Sequence, residues 1–272
     1  MPSLILVTGG TGTLGTHVVQ RLHERGYPVR VLSRKARSGT EGVKYVVGDL
    51  AKGSGVDDAV AGTDVIVHCA SSTKGDAEAT QNLVNAAKAQ KPPPHLVYIS
   101  IVGVSGIRFG YFQTKLAAEK IVTDSGLPWT LQRATQFFDY LLGGAKSLTR
   151  FPIVPVPKDF RVQPIDPIEV ANKLADLALG IPSGRVPDIG GPEVATWAEM
   201  TRQYLRAIKR KRPVVEVWLP MMKEIRAGAL LVDGASGGAT NAYGKTTWVE
   251  FLQRHLQLTG ATAPKTSPGS SS

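Results

Sequence analysis

The chain has 272 residues, 42% apolar and 20% charged, with 29 Gly and 18 Pro spread along its length, a composition that excludes coiled coil, collagen-like repeat and wholesale disorder. Its net charge of +10 favours anionic partners (a phosphorylated cofactor, an acidic substrate, nucleic acid or an anionic lipid surface) without choosing among them. One cysteine, Cys69, excludes an intrachain disulfide, and the five histidines are too scattered for zinc-site spacing, so no metal is expected.

Residues 4–8 form a continuous apolar run of β formers, the pattern of a strand covered on both faces, and run directly into Gly9, Gly10 and Gly12. Leu14, Val18, Val19 and Leu22 then recur at helical spacing over residues 14–25, with Gly26 as a stop signal. Further short strands are predicted at 29–32, 45–47, 65–68, 96–99 and 129–131, with helices at 77–89 and 115–122 between them. Strands alternating with helices imply a Rossmann-type, doubly wound parallel α/β sheet. Between residues 134 and 164 aromatic residues crowd a stretch broken by prolines, and helical periodicity returns at 167–179, 197–208 and 247–256. These segments are expected to form a small C-terminal lobe over the strand ends, with ligand bound between. The expected organisation is one cofactor-binding domain over 1–258 and a disordered tail over 259–272, rich in Ala, Thr, Pro, Gly and Ser. No signal peptide or membrane-length apolar run is visible, so a cytoplasmic protein without a membrane partner is expected.

The turn TGGTGTLG places Gly9, Gly12 and Gly15 at G-x-x-G-x-x-G spacing. The spacing alone is weak, but its position after the first buried strand and at the start of the first helix gives it weight. There, backbone amides over Gly9, Thr11, Gly12, Thr13, Leu14 and Gly15 can approach a pyrophosphate at the positive helix end. At the close of the second strand, Arg34 and Lys35 stand where an NAD-binding chain carries a carboxylate for the ribose hydroxyls. A guanidinium there clamps a 2′-phosphate, which favours NADP(H). Tyr111 and Lys115, four residues apart on a helix, share one face. The lysine is expected to bond the nicotinamide ribose and to lower the tyrosine pKa, so that the phenol donates a proton to a carbonyl.

TGGTGTLG, the basic SRK, GDL at 48–50, the strand VYIS and YFQTKLAAEK together resemble an atypical short-chain dehydrogenase/reductase of the NmrA-like branch, over roughly residues 3–257. The resemblance implies a Rossmann fold with NADP(H), Asp49 and Leu50 near the adenine, Ala70 and Ser71 near the cofactor ribose, and Gln136 and Phe137 near the nicotinamide. It also implies a catalytic serine, for which Ser100 is favoured because it ends a strand, with Ser105 as the other candidate. The expected function is an NADPH-dependent oxidoreductase acting on a small apolar carbonyl, enone or quinone. The rival is a non-catalytic NADP(H) sensor, since some NmrA-like proteins lack the Tyr and Lys pair; isomerisation on the same scaffold is a third reading. The small-molecule substrate is the expected partner of a monomer or homodimer. The basic run at 209–212 reads as a solvated helix terminus, with no specific nucleic acid expected. Cys69 reads as a small buried hydrophobe and His68 as packing or cofactor wall.

Overall fold

The computed structural model describes residues 3–73, 75–108, 110–232 and 242–258; the expected tail lies outside them. The chain opens with β1 (Ile5–Thr8), none of whose four side chains reaches solvent, and passes through the glycine turn into α1 (Thr13–Glu24). It then forms β2 (Val29–Ser33), β3 (Val43–Val47), the short α2 (Val56–Val60), β4 (Val65–His68), α3 (Asp76–Lys88), β5 (His95–Ile101), α4 (Gly110–Thr123) and β6 (Trp129–Ala134). After α5 (Phe138–Leu148), β7 (Val154–Pro157) and β8 (Arg161–Val162), the chain returns through α6 (Pro167–Leu179) and β9 (Gly184–Arg185). It ends in β10 (Ala195–Thr196), α7 (Trp197–Ala207), β11 (Val214–Val217), a 3₁₀ turn (Pro220–Met222), α8 (Lys223–Arg226) and α9 (Trp248–Leu258).

Seven parallel strands form one sheet in the order β3-β2-β1-β4-β5-β6-β9. Ile5 of β1 lies opposite Val29 of β2 on one side and Val65 of β4 on the other. The chain therefore winds outward from β1 to β3, then crosses back to β4, and the crevice at the carboxyl ends of β1 and β4 is where such sheets bind ligands. Period-two alternation sorts the β1 side chains between two cores. Ile5 and Val7 pack with Val18 and Leu22 of α1 and with Val170 and Leu174 of α6, whereas Leu6 joins Ile66, Leu83 of α3, Tyr98 and Val122 of α4 on the opposite face. Both faces are covered, which is why the central strands read as unbroken apolar runs.

A third core lies in the C-terminal lobe, where Phe138, Leu142, Phe160, Tyr204, Trp248 and Phe251 cluster. The Phe138 and Phe251 rings are 5.0 Å apart and those of Trp248 and Phe251 5.6 Å apart, within the range of favourable aromatic packing. Here α7 carries a capping box, Thr196 with Glu199, which fixes its start.

Three features differ from the sequence reading. Helix α6, expected in the lobe, packs on the main sheet beside α1, because Val170, Ala171, Leu174, Ala175 and Ala178 form an apolar stripe that only the sheet can cover. Strand β9 is only two residues long, Gly184 and Arg185, so no alternation announces it. The basic run at 209–212 lies beyond the end of α7, in an exposed connection to β11 that begins with Lys209 at φ +53°. Since Leu174 is fully buried between α1, α6 and the sheet, Leu174→Ala should cost about 2–5 kcal/mol in urea unfolding. A loss well under 1 kcal/mol would place α6 outside the main core.

Candidate active site

The turn after β1 is built for close backbone approach. Gly9 adopts φ +68°, and a Cβ there would sit 2.6 Å from the backbone N of Ala70, at the end of the neighbouring strand. A Cβ on Gly15 would fall 2.1 Å from the carbonyl O of Gly9, so the helix can pack against the turn only with glycine in that place. At Gly12 the constraint is looser, with the Gly9 O at 3.3 Å; its N–H donates to that same oxygen at 2.9 Å. Helix α1 has no acidic residue in its first turn and no side chain capping its N-terminus. Its first amides, over Thr13, Leu14 and Gly15, are therefore left to an external acceptor at the positive end of the helix dipole. Thr11, Gly12 and Thr13 are exposed around this opening.

At the end of β2, Ser33 closes a small turn, its Oγ donating to the Lys35 O at 2.8 Å. Arg34 and Lys35 project into solvent. Asp49, after β3, is occupied by the turn it forms, accepting from Ala51 N at 3.0 Å, and the carbonyl O of Leu50 accepts from Asn82 at 2.7 Å.

Helix α4 starts at Gly110, earlier than periodicity alone indicates, and carries Tyr111 and Lys115 one turn apart. Lys115 is 2% exposed. Its Nζ donates to the Ile99 O of β5 at 3.2 Å, lies 3.3 Å from Asp76 Oδ2, and sits 4.7 Å above the centre of the Tyr98 ring. Burial pushes the lysine pKa down, and the Asp76 carboxylate opposes that shift. Asp76, also 2% exposed, opens α3 and uses its other oxygen to accept from Ser72 N at 3.1 Å. The sequence reading missed this residue. A carboxylate at a helix start reads as an ordinary dipole partner, and only the tertiary contact to Lys115 gives it a further role.

Tyr111 is 37% exposed, and its Oη lies 3.4 Å from Ser71 Oγ, on the loop after β4. The expected depression of its pKa by Lys115 is not found. Burial raises it, Ser71 opposes, and the negative charge of Asp76 raises it further. The physical reason is that Lys115 is already paired, so its charge does not reach the phenol unopposed.

Ser100 is buried, and its Oγ has no hydrogen-bond partner among the described residues. Ser105 instead accepts from Arg133 Nη2 at 3.2 Å, and Arg133 holds Glu119 of α4 through two further hydrogen bonds of 2.8 and 2.6 Å. Gln136 reaches the Leu230 O at 3.4 Å and leaves its own amide oxygen unpartnered, while Phe137 packs against the core under β6. Ala70, Ser71, Ser100, Gln136 and Phe137 all follow or end β4, β5 and β6, so the sheet brings them to one edge together with Gly9. A cavity of about 560 Å³ elsewhere, lined by Phe138, Met200, Arg202, Arg206 and Trp248 among others, includes none of the site residues expected from sequence.

His68 and Cys69 are structural. His68 lies between Thr8 Oγ1 (2.7 Å) and Thr80 Oγ1 (3.1 Å). Burial pushes the thiol of the half-buried Cys69 up to about 12, against the opposing charge of Lys115, which keeps it protonated at neutral pH.

The glycine cradle, the uncapped α1 amides and the exposed basic pair after β2 suit a dinucleotide with an extra phosphate. The comparisons agree with an NAD(P)H-type dinucleotide. The profile of the NAD(P)H-binding family matches residues 9–178. A (4-alkanoyl-5-oxo-2,5-dihydrofuran-3-yl)methyl phosphate reductase of Streptomyces griseus is 31% identical over 96% of this chain and 89% of its own. An NAD(P)H azoreductase of Xenophilus azovorans is 26% identical over 88% of this chain and 86% of its own. In fold, the chain superposes on an NADPH-dependent quinone oxidoreductase of Escherichia coli with a TM-score of 0.75 at 19% identity, covering 93% of this chain and 99% of that one. The chain belongs to the NAD(P)H-binding family. In fold it is similar to short-chain dehydrogenases/reductases. Among the described residues no helix is long and apolar enough to cross a membrane.

Burial pushes the His68 pKa from 6.5 down to about 3, with the Lys115 charge adding to the shift. Between those values the unfolded chain binds a proton that the folded chain does not, so stability is lost as pH falls from 6.5 toward 3. Thermal melts should show Tm falling through that window, and His68→Gln should show a shallower fall. A variant with an unchanged pH profile would remove His68 as a cause.

Proposed function

We propose that the chain is an NADPH-dependent reductase of a small, largely apolar carbonyl, enone or quinone, with Tyr111 as proton donor. The observation that carries this reading is the half-exposed Tyr111 phenol at the ligand edge of the sheet, one helical turn from a buried lysine. In this reading Gly9, Thr11, Gly12, Thr13, Leu14 and Gly15 hold the pyrophosphate through backbone amides at the start of α1. Arg34 and Lys35 pair with the 2′-phosphate. Asp49 and Leu50 border the adenine, and Ala70 and Ser71 the ribose. Gln136 and Phe137 border the nicotinamide, which supplies a hydride when the cofactor is bound.

Lys115 donates to the nicotinamide ribose, held in place by Asp76 and the Ile99 carbonyl. Tyr111 gives its proton to the substrate oxygen, and the raised pKa of the phenol keeps that proton in place at neutral pH. Ser100, or Ser71 beside the phenol, orients the substrate oxygen. The substrate class rests on Tyr111, Phe112 and Tyr140 at this edge and on the reductase activities named for the relatives. The presence of both Tyr111 and Lys115 favours catalysis over cofactor sensing, for which turnover is not needed.

Calorimetry should show NADPH binding at least about tenfold tighter than NADH, a difference of about 1.4 kcal/mol, with Arg34→Ala erasing most of the margin. Equal affinity for both cofactors in the unmutated protein would contradict the role given to Arg34 and Lys35. On a substrate found from a quinone and enone panel, Tyr111→Phe should lower turnover by roughly 10² to 10⁴ while leaving NADPH affinity nearly unchanged. Lys115→Ala should lower turnover and weaken NADPH binding together, because a ribose hydrogen bond is lost. Full activity in Tyr111→Phe would assign the proton to another donor, and tight NADPH binding without turnover on any member of the panel would favour the sensor.

A further inference from the structure

Half of the large apolar side chains exposed among the described residues, Phe151, Ile153, Val215, Val217, Trp218 and Met221, lie in two short stretches of the lobe, 151–153 and 215–221. The parallel ribbon of β7 and β11 joins these stretches, with Val215 opposite Pro155 and Val217 opposite Pro157. Side chains at these positions alternate with the buried Val154 and Val156, which pack toward α7, so Pro155, Pro157, Val215 and Val217 share the outward face. Ile153 extends the same face, since Val154 N bonds the Pro213 O and sets the ribbon's first rung. Nothing among the described residues covers this face.

Its rim is cationic. Arg210, Lys211 and Arg212 are exposed at the end where β11 begins. At the other end Lys158 donates its N–H to the Val217 O, and the Arg226 guanidinium lies 3.8 Å over the exposed Trp218 ring. The nearest acidic group on β11, Glu216, has the parity of the inner face and is paired with Arg202 at 3.3 Å; Asp159 and Glu224 are the other acids close by in sequence.

We propose that this face docks on an anionic phospholipid bilayer. Apolar and aromatic side chains ringed by lysine and arginine match an interface with acyl chains below and negative headgroups around. Such docking lies on the membrane surface and needs no spanning helix. A second copy of the chain fits less well, because a symmetric contact would bring two sets of Arg210, Lys211 and Arg212 together on a chain of net charge +10.

The test is flotation of the full chain with vesicles of phosphatidylcholine alone or with about 30% phosphatidylglycerol, read together with tryptophan emission. Among the four tryptophans, Trp218 is the one that stands 58% exposed, so its emission reports the contact. Expected are binding to the anionic vesicles with a blue shift, and at least about tenfold weaker binding to phosphatidylcholine alone. The triple variant Arg210→Glu, Lys211→Glu, Arg212→Glu and the pair Val215→Ser, Trp218→Ser should each lower binding to the anionic vesicles at least about tenfold while melting like the parent. No binding to anionic vesicles overturns the proposal. So does binding that Val215→Ser, Trp218→Ser leaves unchanged, which marks adsorption by charge alone. Sedimentation without lipid that shows a dimer dissolved by Val215→Ser, Trp218→Ser assigns the face to self-association and likewise overturns it.

Discussion

A charged pair, Lys115 and Asp76, sits almost wholly out of water between α3, α4 and β5. Each charge alone at that depth would cost several kcal/mol, so the two helices have to bring their partners together for either to be tolerated. Asp76 does more than neutralise the ammonium. Its second oxygen holds the Ser72 N–H, and so ties down the loop that carries Ala70 and Ser71. Ser71 in turn meets the Tyr111 phenol. Through these contacts one buried carboxylate connects the lysine, the loop after β4 and the Tyr111 phenol. Sequence order gives no hint of this, since α3 and α4 are separated by β5.

The other end of the crevice is organised by backbone alone. Gly9 and Gly15 allow the turn, the neighbouring strand at Ala70 and the first turn of α1 to approach at distances a Cβ would forbid. The result is an α1 N-terminus whose amides are free of side-chain caps, with a basic pair beyond it. One end of the crevice thus offers uncapped backbone amides and exposed cations, and the other a phenol whose pKa is kept high by burial.

The parallel sheet was legible because its strands are buried on both faces and so lack polar alternation, as in β1 and β4. The glycine turn was legible from its place between strand and helix, and so was the placing of Tyr111 and Lys115 one turn apart on one helix. What could not be read came from contacts between distant segments. The apolar stripe of α6 does not say which core it joins, a two-residue strand such as β9 has no pattern, and Asp76 at a helix start has an ordinary local explanation. The expected effect of Lys115 on Tyr111 failed for the same reason, since the counter-charge that intervenes lies 35 or more residues away in the chain. In the lobe, the exposed apolar face of the β7 and β11 ribbon arises from a pairing across about 60 residues, which no local window contains.

A crystal structure of the NADPH complex would show whether Asp76 presents the Lys115 ammonium to the cofactor ribose beside Tyr111. Expected is Lys115 Nζ within about 3.2 Å of a nicotinamide-ribose hydroxyl, still paired with Asp76, with Tyr111 Oη facing the nicotinamide edge. A complex in which NADPH is ordered but Lys115 remains confined to Asp76 and Ile99, without touching the ribose, would contradict it.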